Sequence, residues 1–128
     1  MSKKSIERYI PKAIKVLDAT FDDGVIPSAY NGYISSFGAS VMQSGLLPTL
    51  ALFENTNAST KENKEYLSYL IVNILRDNRD DVSLLREVLV REERGESRNH
   101  LKEQILDISI AIKLSIRTFK LKKGDKDE

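Results

Sequence analysis

Apolar residues recur at intervals of three and four along almost the whole chain, the rhythm of one helix face. Ile6, Tyr9, Ile10, Ala13, Ile14, Leu17 and Phe21 make the first run. Pro11 interrupts it. Either the helix starts near Tyr9 with Pro11 in its first turn, or it starts near Ser5 and kinks. Asp22-Asp23-Gly24 ends it. Tyr30, Tyr33, Ile34, Phe37, Val41 and Met42 form a second run, and Gly45 stops it because glycine adopts the left-handed conformation that closes a helix. Pro48 then falls in the first turn of a short helix carrying Leu50, Ala51 and Phe53. Ser59 with Glu62 makes a capping box ahead of a helix faced by Leu67, Leu70, Ile71, Ile74 and Leu75. Asp80 and Asp81 suit the start of the next helix and Arg91 and Arg94 its end, as the helix dipole prefers. Gly95 closes it.

The last helix is expected from about Ser97 to Lys120. Leu101, Ile105, Ile108, Ile112, Ile116 and Phe119 lie on one side and Leu106, Ile110 and Leu114 on another. A helix apolar over so much of its girth is central, or packs against a partner as well as its own core. No segment alternates as a strand. The pattern predicts an all-α protein, a compact bundle of about five or six helices. Residues 1–128 form a single helical domain, with a charged tail from about 121 to 128 expected to fray.

Composition narrows the function. The chain has 128 residues, 41% hydrophobic and 30% charged, which suits one core under a well-charged surface. Cysteine is absent, which excludes a disulfide scaffold, thiolate metal sites and a cysteine nucleophile. The one histidine, His100, excludes a multi-histidine cage within the chain. No apolar stretch follows the first lysines, so no signal peptide is read, and no run reaches the ~20 apolar residues of a membrane span. The expectation is a cytoplasmic protein without membrane contact.

A search for catalysis finds no phosphate loop, no dinucleotide fingerprint and no nucleophile elbow. His100, Glu103 and Asp107 share helical spacing, but a di-metal bundle needs such a motif on two helices. The reading is no enzyme, no metal and no cofactor. The acidic pairs Asp22-Asp23, Asp80-Asp81 and Glu92-Glu93 sit at predicted helix ends, where capping and solvation account for them.

Charge placement is more informative. Lys4, Arg8, Lys12 and Lys15 fall within about 80° of one another on a helix, and Lys102, Lys113, Arg117 and Lys120 within about 60°. Such rows match a nucleic-acid backbone, where each neutralised phosphate releases counterions. They are also what an ordinary solvated helix face looks like, and charge patterning alone favours that plainer account. Residues 24–53 contain no charged side chain at all. A buried helix pair and a docking surface explain that stretch equally well.

The run Phe37-Gly38-Ala39-Ser40-Val41-Met42-Gln43-Ser44-Gly45-Leu46-Leu47-Pro48-Thr49-Leu50-Ala51-Leu52-Phe53 resembles the central motif of the small α-helical subunit, the fifth Cmr protein, of the type III-B CRISPR effector. The specific part is Gly45 to Ala51. Tyr30 or Tyr33 matches an aromatic that introduces the motif. Tyr66 to Val72 with Leu75-Arg76 looks like the family's next helix, and Lys102-Glu103 through Lys113 like its final one. That final helix often carries a Trp in the family, and this chain has none. The resemblance implies a non-catalytic subunit whose copies stack head to tail as an inner filament. It would lie beside the other Cmr subunits, including the ribonuclease backbone subunits, along the guide RNA and target RNA. The basic rows then become candidate contacts with RNA backbone: Lys12, Lys15, Lys113, Arg117 and Lys120. Tyr33, Gln43, Leu46 and Thr49 are the candidate partner contacts in the uncharged stretch. The alternatives are a generic helical protein–protein adaptor without RNA contact, and a helix-turn-helix DNA binder, disfavoured because no recognition helix stands out as basic.

Overall fold

The computed structural model describes residues 3–54, 65–76 and 83–122. Among them are six helices: α1 (Lys3–Thr20), α2 (Ala29–Ser44), α3 (Leu46–Phe53), α4 (Glu65–Arg76), α5 (Leu84–Glu93) and α6 (Arg98–Ile116). Two short strands, β1 (Val25–Pro27) and β2 (Lys120–Lys122), join them. The all-α expectation holds.

α1 begins at Lys3 and carries Pro11 in its interior, so the helix starts well before the proline, as in the second of the two alternatives. The proline removes the N–H that would meet the Glu7 carbonyl. Pro11 and Glu7 both face solvent, so water can satisfy that carbonyl. The opposite face buries Tyr9, Ala13, Leu17 and Thr20.

α6 is the centre of the bundle. Leu101, Ile105, Ile108, Ala111, Ile112 and Ile116 are fully buried, and α1, α2, α4 and α5 all pack on it. The most extensive packing is with α1. Gln104 Nε2 donates to the Tyr9 hydroxyl at 3.3 Å, an offset of 95 residues. The strands pair in parallel with the same spacing, Val25 opposite Lys120 and Ile26 opposite Leu121. A constant offset means that α1 and α6 run side by side in the same direction.

The clasp at their far end corrects two expectations. The last helix stops at Ile116 and does not reach Lys120. The Thr118 hydroxyl donates to the Ser115 carbonyl at 2.8 Å, and the chain leaves the helix to enter β2. Leu121 and Lys122, placed in the fraying tail, are held by this strand pairing. Residues 123–128 lie outside the described residues, as do the Ser59–Glu62 capping box and the Asp80-Asp81 helix start. Strands of three residues are too short to show alternation, and Ile26 in β1 is buried like a helix-core residue.

Gly45 adopts φ 97°, the positive value expected of it. Its N–H meets the Val41 carbonyl at 3.0 Å to close α2, and its carbonyl accepts from Thr49 at 3.3 Å to open α3. Pro48 lies in that first turn, where a missing N–H costs nothing. The corner is braced by a hydrogen bond between the Ser40 and Thr49 hydroxyls, 2.8 Å, and by an edge-to-face contact of Phe37 with Phe53. A β-carbon at Gly45 would meet only Pro48 Cδ at 3.7 Å, so backbone strain is the obstacle to substitution.

Glu54, the residue that ends the charge-free stretch, ties α3 to α5. Its carboxylate accepts from the Ser83 hydroxyl and from the Leu85 N–H at 2.8 Å, while Ser83 Oγ accepts from the Arg86 N–H at 3.2 Å. A negative charge at a helix N-terminus is stabilised by the free N–H groups and the dipole there. Gly95, φ 97°, closes α5, and Ser97 caps α6 by accepting from His100 N–H at 3.1 Å.

Two stability measurements check this account. Gly45→Val should lower stability by ~1 kcal/mol or more, because a β-branched residue is strained at that φ; an unchanged melting temperature would remove the geometric reason for the glycine. Glu54→Ala should lose ~1–2 kcal/mol, because a helix start loses its partner for Leu85. Urea unfolding of the two variants reads both effects.

Candidate nucleic-acid interface

The parallel pairing of α1 and α6 decides how the two basic rows relate. Lys4, Arg8 and Lys15 are exposed on α1, and Lys12 is half-buried and already engaged within the fold. Lys113 lies in the last turn of α6, Arg117 caps it, and Lys120 sits on β2; all three are exposed. Lys102, also counted in the second row, is half-buried. Because α6 ends at Ile116, Lys120 owes its position to the clasp and not to helical spacing.

With the offset of 95 residues, the rows are not two tracks abreast. They follow one another. Along the shared axis come Lys4, Arg8, Lys12 and Lys15 on α1, then Lys113 and Arg117 on α6 and Lys120 on β2. Each step is three or four residues, ~5–6 Å at the helical rise. The structure thus orders the five candidate RNA contacts in succession along one axis, a track in level that passes from the first helix to the last.

Anions stand on the other side at four of these levels, and Lys4, Lys15 and Lys120 have none opposite. The same offset sets Arg8 level with Glu103, Lys12 with Asp107, Asp18 with Lys113, and Asp22 with Arg117. This complementarity has a structural use. Parallel helices align their dipoles, and opposite charges at matching levels offset the repulsion. Lys113 and Arg117 also sit at the carboxyl end of α6, where cations favour the helix. The track therefore serves the fold, and its field is tempered by acidic neighbours.

Away from the track, Arg98 bridges the start of α6 to Glu92 at the end of α5. The hydrogen bond from Arg98 holds the Glu92 carboxyl below its ordinary range, and the Arg98 guanidinium is raised in return. Arg91 joins Glu87 at 2.8 Å and Glu96 at 3.8 Å, and Arg76 reaches Glu87 from α4 at 3.7 Å. These cations are committed to neighbours.

The candidate partner contacts divide. Gln43 is exposed. Tyr33 is half-buried, its ring edge-on to Tyr30 at 5.3 Å. Leu46 and Thr49 are interior, 3% and 0% exposed, and present nothing to a partner in this fold. The physical reason is periodicity: Leu46, Thr49, Leu50 and Phe53 are the core face of α3. The large apolar groups that do reach solvent here are Met42, 70% exposed, and Leu52, 61%. Met42, counted in the second apolar run, thus lies off the face that Tyr30, Ile34, Phe37 and Val41 bury.

A helical bundle with one cationic track and an uncharged segment is the frame on which the comparisons bear. A family model described as CRISPR-associated protein (Cas_Cmr5) matches residues 7–113. The chain belongs to that family, in agreement with the resemblance carried by Gly45 to Ala51 to the type III-B small subunit. No curated protein and no solved structure matches the chain significantly. No helix among the described residues is long and apolar enough to cross a membrane.

Proposed function

We propose that this chain is a non-catalytic small subunit of a type III-B CRISPR RNA-guided effector acting in the cytoplasm. Copies stack as an inner filament beside the ribonuclease backbone subunits and touch the backbone of guide RNA and target RNA. The observation that supports RNA contact is the single track of cations on α1, α6 and β2. Of the five candidate contacts Lys15, Lys113, Arg117 and Lys120 are exposed, and Lys12 contributes charge from a half-buried position. Rows of lysine and arginine read phosphate charge and not base edges, so the contact is independent of sequence. One subunit offers about five counterion releases at most, set against nearby carboxylates. Its affinity alone is therefore low, and repetition along a filament supplies the rest.

The test replaces Lys113, Arg117 and Lys120 together by Gln. Neutral replacement avoids placing anions at the carboxyl end of α6. The assembled complex should retain target RNA less well, and the slope of log affinity against log salt should shrink by up to about three. Arg86→Gln with Arg94→Gln, exposed on and just after α5, should change neither. A track variant that assembles and holds RNA like the parent across a salt titration would make the chain a spacer that touches protein only.

A further inference from the structure

α5 carries two ions that its own fold neither pairs nor favours. The other charges of this helix are committed: Glu87 to Arg76 and Arg91, Arg91 also to Glu96, and Glu92 to Arg98. Arg86 and Glu93 are exposed, and neither charged group has a partner among the described residues. The hydrogen bond of Arg86 to Ser83 uses its backbone N–H. Both ions also stand at the wrong end for the helix dipole, which favours anions at the start and cations at the end. Arg86 is the third residue of α5 and Glu93 the last. Within α5, the positions three and four residues from each, where an opposite charge would face it, are the same two, Leu89 and Val90. These are apolar and exposed, 41% and 39%. Seven residues apart, Arg86 and Glu93 fall within about 20° of one line along the helix, and Leu89 and Val90 lie between them, about 50° to either side. Arg94 is a step of ~100° further round, off that line.

We propose that this face of α5 docks, in the free chain, on the same face of a second copy, antiparallel across a two-fold axis that passes between Leu89 and Val90. Arg86 then faces Glu93 of the second copy, and Glu93 faces its Arg86. An axis normal to both helices keeps each flank on its own side, so Leu89 meets Leu89 and Val90 meets Val90. Charge complementarity selects this occupant. The face needs a carboxylate and a cation ~10 Å apart along a helix with large apolar groups between them. No other helix offers that set among the described residues. α1 exposes ions but no large hydrophobic group, while α2 and α3 expose Met42 and Leu52 but no ion. α4 exposes none of residues 66–76. On α6 the exposed anion, Glu103, stands five residues from Arg98 and ten from Lys113. Only the face itself, reversed, returns a cation for its anion and an anion for its cation. The formal net charge of +1 leaves little overall repulsion between copies. A helix of 10 residues is ~15 Å long, and its outward face falls well short of the ~800 Å² per partner of a standard interface. The pair is therefore weak, with a Kd on the order of 1 mM. A two-fold contact closes on itself and does not propagate, so it is separate from filament stacking and rests on the chain alone.

Sedimentation equilibrium of the purified chain, taken to about 2 mM, tests this. The apparent mass should rise with concentration from 14.5 kDa toward twice that value. Arg86→Glu sets two carboxylates against each other at both ends of the contact, and association should weaken about tenfold. Glu93→Arg should do the same with two cations. The double variant Arg86→Glu with Glu93→Arg restores opposite charges across the axis and should pair like the parent. An equal mixture of the two single variants should pair as well. Both substitutions suit the helix dipole, so urea unfolding should find every variant at least as stable as the parent. A parent that stays monomeric at every concentration overturns the proposal. So does a single reversal that pairs as the parent does, or a double variant that stays monomeric. RNA enters none of these measurements, so their failure and that of the cation track are told apart.

Discussion

The structure depends on burying α6 while keeping α1 parallel to it. A helix apolar around most of its circumference cannot rest on a single neighbour. α6 is covered by α1, α2, α4 and α5 together. The closest of these is the first helix of the chain, paired with the last at an offset of 95 residues. Such a contact has a high loop-closure cost, and no turn between the two helices can hold it. The work falls to the buried row of Leu101, Ile105, Ile108, Ile112 and Ile116, and to the parallel strands that lock the ends together. The direction of α1 follows, and with it the order of cations along the surface.

Neighbouring helices in a bundle usually run antiparallel through short connections, which opposes their dipoles. Here the principal pair is parallel. Cations on α1 stand level with Glu103 and Asp107, and cations at the end of α6 with Asp18 and Asp22. Those that lie at the surface contribute little each, whereas Asp107 is buried, level with half-buried Lys12. Together they discriminate register, since a slip of one helical turn would place Asp107 level with Arg8 and leave Lys12 beside apolar Ala111. One distribution of charge thus bears on both the alignment of the helices and the track open to a polyanion.

Most helices were legible because their apolar rhythm is regular and their ends are marked by residues with local reasons to stop. Gly45 and Gly95 end helices at positive φ, and Ser97 caps the next one. What escaped was whatever depends on distant contact. β1 and β2 owe their existence to a partner strand 95 positions away, and the reach of Glu54 to Ser83 and Leu85 is equally invisible in a local window. At the surface, the basic rows could be read as rows, but their succession along one axis required the parallel pairing. Leu46 and Thr49 were misplaced because a charge-free segment hides the boundary between core and surface. Charge usually marks that boundary, and in residues 24–53 only periodicity does.

That segment also explains why the α2–α3 corner is built from hydroxyls and rings. An ion pair across the corner would have to bury charge beside Phe37 and Phe53, with a desolvation penalty that a modest Coulomb gain does not repay. The Ser40–Thr49 hydrogen bond satisfies both hydroxyls of a close helix crossing without a formal charge. Gly45 turns the chain where a side chain would be strained. The first carboxylate past the corner, Glu54, is placed where charge has a use, at the start of α5.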